Sequence, residues 1–311
     1  MKLSLSTCSL NEYLKEGYSE FDTLAAIKEA GFTCVDYDIH ASLYCEPEKN
    51  GRYAKENLEK LGMTVPQAHA PGINPVDPAN RERLSEIRDA IRFCGFAGIP
   101  AIVVHPGGMD GFTEEEFFEK NVAFYQSLIP VCEETEVKLL VENIGNYADP
   151  YWLWDGKDLR NMVEAIGSEL AFACWDVGHA NHFYRKDVDP YQSILDVGDK
   201  LYATHVHDNC GYFTDPIEHH RIDMHTMPYG SVWCNVNFDA VVKGLVDADY
   251  KGTFNLESMV CNPRIVPQPL TVNGETFHRL RILPMKAWIA CNRGLYEVGK
   301  AMLEAYDAFE E

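Results

Sequence analysis

The sequence of 311 residues predicts an α/β fold, a (β/α)8 or TIM barrel with a C-terminal helical extension. Two observations carry this prediction: eight short apolar runs, most of them rich in Val, Ile, Leu or Phe, and amphipathic segments between them. Apolar runs of this length are typical of strands that are buried on both faces. Strands that alternate with helices form parallel sheets, and eight such units in ~250 residues are typical of a barrel. An open doubly wound sheet is the alternative, but no GxGxxG follows the first run.

The eight predicted strands are spaced along the whole barrel region. In chain order they are 2–8 (KLSLSTC), 33–39 (TCVDYDI), 64–70 (TVPQAHA), 100–106 (PAIVVHP), 137–143 (VKLLVEN), 170–176 (LAFACWD), 201–207 (LYATHVH) and 252–258 (GTFNLES).

Four of the intervening segments have apolar residues at helical spacing. They are 20–30, 80–98, 114–134 and 238–248. Gly31 marks the end of the first segment, and Asn237 is a suitable N-cap for the last. Pro130 should bend or end the third segment, because proline cannot donate the backbone hydrogen bond that a helix interior requires.

No low-complexity linker divides the chain, so residues 1–311 are predicted to form a single barrel domain. Residues 261–311 follow the last predicted strand and contain a turn-like VNGE (272–275) and a helical tail from about 281. We expect this extension to pack on the barrel or to form a subunit interface. In the second case the protein would be a homo-oligomer.

The composition argues against some partners. Lys and Arg number 27 against 48 Asp and Glu, a net charge of -21, whereas proteins that bind nucleic acid normally carry a basic surface. The N-terminus lacks the apolar core of a signal peptide, and no run approaches the ~18 apolar residues of a membrane span. Ten cysteines without a CxxC do not form a disulfide framework. We therefore expect a cytoplasmic protein with a small-molecule partner.

Titratable side chains concentrate where the predicted strands end. The set comprises His69, His105, Glu142, Asp176, His179, His205, His207, Asp208 and Glu257, and a loop after the seventh strand adds Asp223 and His225. The C-terminal ends of barrel strands meet at one mouth. Several buried carboxylates are costly unless a cation neutralises them, and mixed imidazole and carboxylate ligands suit Zn, Mn, Co or Fe. A single strand-end histidine is usually a hydrogen-bonded structural group, so the prediction of a divalent metal site depends on the whole set.

Strand alternation places His205 and His207 on one face, so periodicity alone does not choose between them.

The ordered motifs HAP, HPG, EN, D..H, H..D and D.H resemble those of the xylose isomerase-like TIM barrels over residues 1–260. The resemblance to the epimerases of that superfamily implies that this chain binds one divalent metal, often Mn, through Glu142, Asp176, His205 and Glu257. It also implies that Glu142 and Glu257 are the catalytic acid and base, which move a proton through a metal-bound cis-enediolate. The H..D spacing selects His205, followed by Asp208, and leaves His207 as a substrate or supporting contact.

The type IV apurinic/apyrimidinic endonucleases belong to the same superfamily and have a three-zinc site. Their larger ligand set is matched here by His69, His105, Glu142, Asp176, His179, His205, Asp208, Asp223, His225 and Glu257. The resemblance therefore implies between one and three ions of Mn, Zn or Co. The acidic net charge argues against a DNA backbone as the substrate. The TMPYGSV stretch (226–232) also resembles the corresponding stretch of isomerase-like members more than that of the endonucleases.

The sequence departs from the ketose epimerases at two substrate contacts. Gly211 stands where they have Arg, and Ala148, next to Asp149, stands where they have an acid. Basic residues near the predicted mouth are few, chiefly Arg185 and Arg221, which are candidate substrate contacts. A phosphate group would favour more Arg, Lys or helix N-termini, so this pattern favours a neutral sugar or polyol.

We therefore expect a metal-dependent isomerase or epimerase of a sugar or related polyol. A multi-zinc phosphoester hydrolase is the first alternative, and a lyase or dehydratase on the same scaffold is the second. A non-catalytic carbohydrate-binding barrel is the least favoured, because binding alone does not require so many metal ligands.

Overall fold

The computed structural model describes residues 1–144, 153, 155–181, 188–211, 225–232, 234–259, 265–279 and 282–311. Its main sheet has eight strands in the order β7-β6-β5-β4-β3-β2-β1-β8, and the strand pairs in this order are parallel. The strands are β1 Leu3–Ser6, β2 Cys34–Asp38, β3 Thr64–His69, β4 Ala101–Val104, β5 Lys138–Glu142, β6 Ala171–Asp176, β7 Leu201–His205 and β8 Phe254–Leu256. Each lies inside one of the eight predicted strands, and the predicted barrel is confirmed.

The two outermost strands in this order, β7 and β8, meet at their C-terminal ends. Val206 donates a backbone hydrogen bond to the carbonyl of Asn255 (2.8 Å), and Glu257 donates one to the carbonyl of Val206 (3.0 Å). These bonds form a single parallel bridge between Val206 and Leu256. The barrel therefore closes at the end that carries His205 and Glu257.

Helices follow the strands and surround the sheet. They are α1 Asn11–Lys15, α2 Glu20–Ala30, α3 Ala41–Tyr44, α4 Pro47–Leu61, α5 Leu84–Ala97, α6 Glu114–Gln126, α7 Ile129–Thr135, α8 Gly156–Ile166, α9 Val177–Asn181, α10 Pro190–Val197, α11 Phe238–Asp247 and α12 Met285–Glu304. Asn237 caps α11 by accepting a hydrogen bond from the amide of Ala240 (3.1 Å), as predicted. The third predicted helix is broken into α6 and α7, and Pro130 lies in the first turn of α7.

The interior of the barrel has an apolar side and a polar side. Ala101, Val103, Leu140, Cys174 and Ala203, from strands β4 to β7, pack together as a small apolar cluster. Across the barrel, Asp36 of β2 contacts Gln67 of β3 and Asn255 of β8, and all three are buried. Barrel interiors are usually filled by branched apolar side chains, so the polar side needs a separate explanation.

The extension contains an antiparallel hairpin and a long helix. The hairpin pairs β9 (Ile265–Val272) with β10 (Glu275–Arg279), and its turn falls within the VNGE stretch. Helix α12 packs against α2, and its buried Trp288 makes an edge-to-face contact with Tyr13 at 6.3 Å between ring centroids. Helix α12 thus lies against α2, while the predicted single domain and the role of the extension on the barrel or at a subunit interface stay predictions.

Within the described ranges, no helix has both the length and the apolar character that crossing a membrane requires.

Two glycines provide a test of the helix packing. A Cβ on Gly156, the first residue of α8, would lie 1.8 Å from the backbone oxygen of Ser193 in α10. We expect Gly156→Ala to destabilise the protein by ~1–3 kcal/mol, because backbone must move to relieve this overpacking. A Cβ on Gly294 in α12 would meet no atom within 4 Å among the described residues beyond its own helix, so Gly294→Ala should instead stabilise by ~0.5–1 kcal/mol.

Urea unfolding of the two variants beside the parent protein measures both effects. A Gly156→Ala protein as stable as the parent would contradict the close approach of α8 to α10.

Candidate metal centre

Four side chains from four neighbouring strand ends converge at the mouth of the barrel. Glu142 ends β5, Asp176 ends β6, His205 ends β7 and Glu257 follows β8. One potential ligand atom from each lies within 4.8 Å of the others. His205 Nδ1 is 3.1 Å from Glu142 Oε1, 3.2 Å from Glu257 Oε2 and 3.9 Å from Asp176 Oδ2. The structure thus brings together the four residues predicted as the principal metal ligands.

The surroundings of this group keep the carboxylates of Glu142 and Asp176 ionised. Burial raises the pKa of Glu142, but the charge of His205 and the close imidazole of His105 outweigh burial and hold that pKa well below its ordinary value. Burial also raises the pKa of Asp176, but His179 and His207 outweigh it and lower the pKa to about 2. Ionised carboxylates are the form that a metal ion binds.

The donor set fits a divalent cation. Glu142, Asp176 and Glu257 are at most 7% exposed, and buried anions at this spacing repel one another unless a positive charge lies between them. Within the part of the chain that the structure describes, Asp176 Oδ2 is buried and has no hydrogen-bond partner. Three carboxylates and one imidazole form a ligand set that suits Mn, Zn or Co.

A second group lies beside Glu142. His105 Nε2 is 2.8 Å and His69 Nε2 is 3.6 Å from Glu142 Oε2, and the two histidine Nε2 atoms are 2.9 Å apart. Burial lowers the pKa of His105. Burial also disfavours the charged form of His69, but the nearby carboxylate of Glu142 outweighs burial and raises the pKa of His69 to about 9. Two facing nitrogens can share one proton or one metal ion, so this group is a candidate for a second ion.

A third group is formed by three imidazoles. His179, His207 and His225 each place one ring nitrogen within 4.8 Å of the others. The rings of His207 and His225 stack at 3.9 Å between centroids, with 13° between their planes. Gly178 makes room for them, because a Cβ there would lie 2.0 Å from the His207 ring. A side chain at this position of the DVGHAN stretch (176–181) would therefore clash with the His207 ring.

His205 and His207, the two histidines of the stretch THVHDN (204–209), have different neighbours. His205 Nδ1 lies among the carboxylates of the four-ligand group, whereas His207 Nε2 lies 3.2 Å from Asp176 Oδ1 and belongs to the imidazole group. The choice of His205 as the principal metal ligand stays a prediction.

Asp208 occupies a different position from the other predicted residues. Its Oδ1 accepts backbone hydrogen bonds from Asn209 (2.9 Å) and Val236 (3.2 Å), and its Oδ2 accepts one from Tyr229 (3.1 Å). These bonds fix the loop that precedes α11. The predicted candidates Arg185, Arg221 and Asp223, like Ala148 and Asp149, lie outside the described residues.

Asp36 is a site residue that the sequence patterns did not identify. It lies in the middle of β2, fully buried, and its Oδ2 is 3.0 Å from His205 Nε2. The signal in the sequence is an aspartate within the apolar run TCVDYDI, where a buried strand rarely has an acid without a partner. The residue lies below the mouth, one layer deeper than the strand ends.

A cavity of about 380 Å³ opens above the four-ligand group of Glu142, Asp176, His205 and Glu257, which is a candidate metal site. Its wall includes His69, His105, Glu142, His179, His225 and Glu257, together with Cys8, Asn11, Glu12, Lys15, Asp38, Ile144 and Met259. Cavities of this size accept small molecules, and several candidate ligands face this one directly.

The family model described as "Xylose isomerase-like TIM barrel" matches residues 24–271 of the chain. The chain belongs to this family.

Its similarity to individual members is distant. An uncharacterized protein, y4fM of Sinorhizobium fredii, is 23% identical over 273 residues, which cover 76% of this chain and 80% of that protein. A probable endonuclease 4 of Citrifermentans bemidjiense is 28% identical over 137 residues, which cover 40% of this chain and 47% of that protein. The solved structure of a D-psicose 3-epimerase in the presence of D-fructose superposes with a TM-score of 0.69 at 12% identity, covering 97% of this chain and 99% of that one. At this identity the superposition establishes the shared fold.

Proposed function

We propose that this protein is a metal-dependent isomerase or epimerase of a sugar or related polyol. The observation that carries the proposal is the convergence of Glu142, Asp176, His205 and Glu257 beneath a cavity of small-molecule size. The fold shared with a D-psicose 3-epimerase over nearly the whole of both chains supports it.

Two carboxylates in this group are placed to move a proton. Glu142 and Glu257 approach His205 Nδ1 at 3.1 and 3.2 Å, and both carboxylates also line the cavity. General base catalysis requires an ionised carboxylate within hydrogen-bond reach of the proton that it removes. Glu142, whose pKa is held well below its ordinary value, lines the cavity that a substrate would enter. One glutamate removes the proton and the other returns it. The metal, when bound, polarises adjacent substrate oxygens as a Lewis acid.

The wall of the cavity favours a neutral substrate. Asp38 and Glu12 line it on the side of β1 and β2, and Lys15 on the same wall is paired with Glu12 at 2.6 Å. Carboxylates at this edge repel phosphate groups, whereas they accept hydrogen bonds from hydroxyl groups. This lining supports a sugar or polyol without a phosphate group.

A multi-zinc phosphoester hydrolase is the second candidate function. It is favoured by the two further groups, His69 and His105 beside Glu142, and His179, His207 and His225 beside Asp176. Phosphoester hydrolysis commonly uses two metal ions ~3.5–4 Å apart, which stabilise the attacking and the leaving oxygen. The partial similarity to a probable endonuclease 4 is consistent with such a site.

Metal analysis and solvent-exchange measurements separate the two functions. The protein is purified without added metal, analysed by elemental mass spectrometry, and incubated in deuterated water with a panel of free ketoses. For the isomerase, we expect one Mn or Co per chain and deuterium at the carbon beside the carbonyl group, with no exchange after chelation. Two or three zinc ions per chain, with hydrolysis of bis(4-nitrophenyl) phosphate and no exchange in any ketose, would contradict the isomerase and support the hydrolase.

A further inference from the structure

We propose that Asp36 is a positioning residue that fixes the ring of His205 and commits its Nδ1 atom to metal binding. The inference rests on the proposed metal site and extends it to a residue below the ligands. It is carried by the contacts of a single fully buried carboxylate.

The geometry assigns different tasks to the two nitrogens of His205. Nε2 lies 3.0 Å from Asp36 Oδ2, whereas Nδ1 faces the carboxylates of Glu142 and Glu257. Without a metal ion Nδ1 hydrogen-bonds to Glu142 Oε1 (3.1 Å), and in the described chain Nε2 makes only the close contact with Asp36. A metal ion bound at Nδ1 would leave the ring proton on Nε2, beside an acceptor oxygen of Asp36. Nδ1 is then left to present its lone pair to a metal ion.

Asp36 is itself held from two strands. Asn255 Nδ2 donates a hydrogen bond to Asp36 Oδ2 (2.8 Å), and Gln67 Nε2 donates one to the same oxygen (3.2 Å). These two amides keep the carboxylate at a fixed depth in the barrel, so it cannot follow the imidazole if the ring rotates. The arrangement explains why this side of the barrel is polar while the opposite side is apolar.

The energetic argument also favours a positioning role. A buried carboxylate is costly, and apolar side chains of similar size would fill this interior without that cost. Carboxylates that hydrogen-bond to metal-binding imidazoles orient the ring and increase its basicity, and losing one typically weakens metal binding by ~10- to 100-fold. This expected effect distinguishes Asp36 from a residue that only fills space.

The test compares Asp36→Asn with the parent protein and with Ser4→Ala. Ser4 pairs in register with Asn255 on β8, so its side chain shares the interior face, and in the described chain its buried Oγ has no hydrogen-bond partner. Zinc affinity is measured by competition with a chromophoric chelator, and the unfolding free energy of each metal-free protein is measured in urea. We expect ~10- to 100-fold weaker zinc binding for Asp36→Asn. Ser4→Ala should bind zinc as the parent does, because the Oγ that it removes makes no hydrogen bond in the described chain.

A spectroscopic measurement on the parent protein keeps the test independent of variant folding. In zinc-loaded protein labelled with ¹⁵N-histidine, we expect Nδ1 of His205 to be the zinc-bound nitrogen and Nε2 to carry the proton. Zinc on Nε2, or equal zinc affinity of Asp36→Asn and the parent, would overturn the role of Asp36. Parent protein that binds no zinc, manganese or cobalt would instead overturn the proposed metal site itself, so the two failures are distinguishable.

Discussion

Replacing Glu142 with glutamine should strip metal from the protein and lower turnover by ~100-fold or more. The reason is the central position of this carboxylate. Its Oε1 lies 3.1 Å from His205 Nδ1 and 3.2 Å from His179 Nδ1, and its Oε2 lies 2.8 Å from His105 Nε2. An amide keeps the shape but has one oxygen fewer and no charge, so both the metal and the proposed proton transfer lose the group on which they depend.

The measurements are metal content by elemental mass spectrometry and turnover of the ketose identified by deuterium exchange. Glu164→Gln is the matched control, because Glu164 is an exposed glutamate on α8 whose ion pair, within the described part of the chain, is with Arg160. The control should retain the metal and the activity of the parent. Retention of more than about a tenth of the turnover by Glu142→Gln would rule out a role in general acid–base catalysis.

Removing the imidazole of His205 should weaken metal binding by more than the ~100-fold expected for a supporting residue. His205 Nδ1 lies between the carboxylates of Glu142 and Glu257, and this ring supplies the imidazole of the four-ligand group. His207→Ala is the matched comparison, since it removes a fully buried imidazole from the same strand end. We expect His207→Ala to keep the ion of the four-ligand group and to lose only an ion held with His179 and His225.

Elemental analysis and competition titrations of both variants give the result. The assignment of the two histidines would be wrong if His205→Ala kept its metal while His207→Ala lost it. Circular dichroism of the metal-free proteins shows whether either substitution has altered the fold.

The barrel itself was predictable because its strands carry a strong local signal. Runs such as PAIVVHP and VKLLVEN are buried on both faces, and this requires continuous apolar sequence. The same runs end in His105 and Glu142, so the direction of a parallel strand was enough to place those residues at one mouth. Strand direction therefore predicted that these side chains meet, whereas the choice of four principal ligands among them came from the resemblance and stays a prediction.

Other features depend on contacts that the local sequence does not encode. Asp36 acquires its meaning only from His205 and Asn255, which lie far along the chain but close in the barrel. The hairpin strand 265–272 contains Pro267 and Pro269, and prolines within a run normally argue against a strand. Helix α4, Pro47–Leu61, occupies a charged segment that was not among the four predicted helices.

The single bridge between β7 and β8 has a consequence for the order in which the site forms during synthesis. Glu257 directly follows β8, the last strand of the barrel in chain order, and it reaches the other three residues of the group only when β8 docks beside β1 and bridges to Val206. A nascent chain that ends before β8 holds Glu142, Asp176 and His205 but not the complete set. Because domains generally fold as units during synthesis, the group of four side chains is complete only once the barrel has closed.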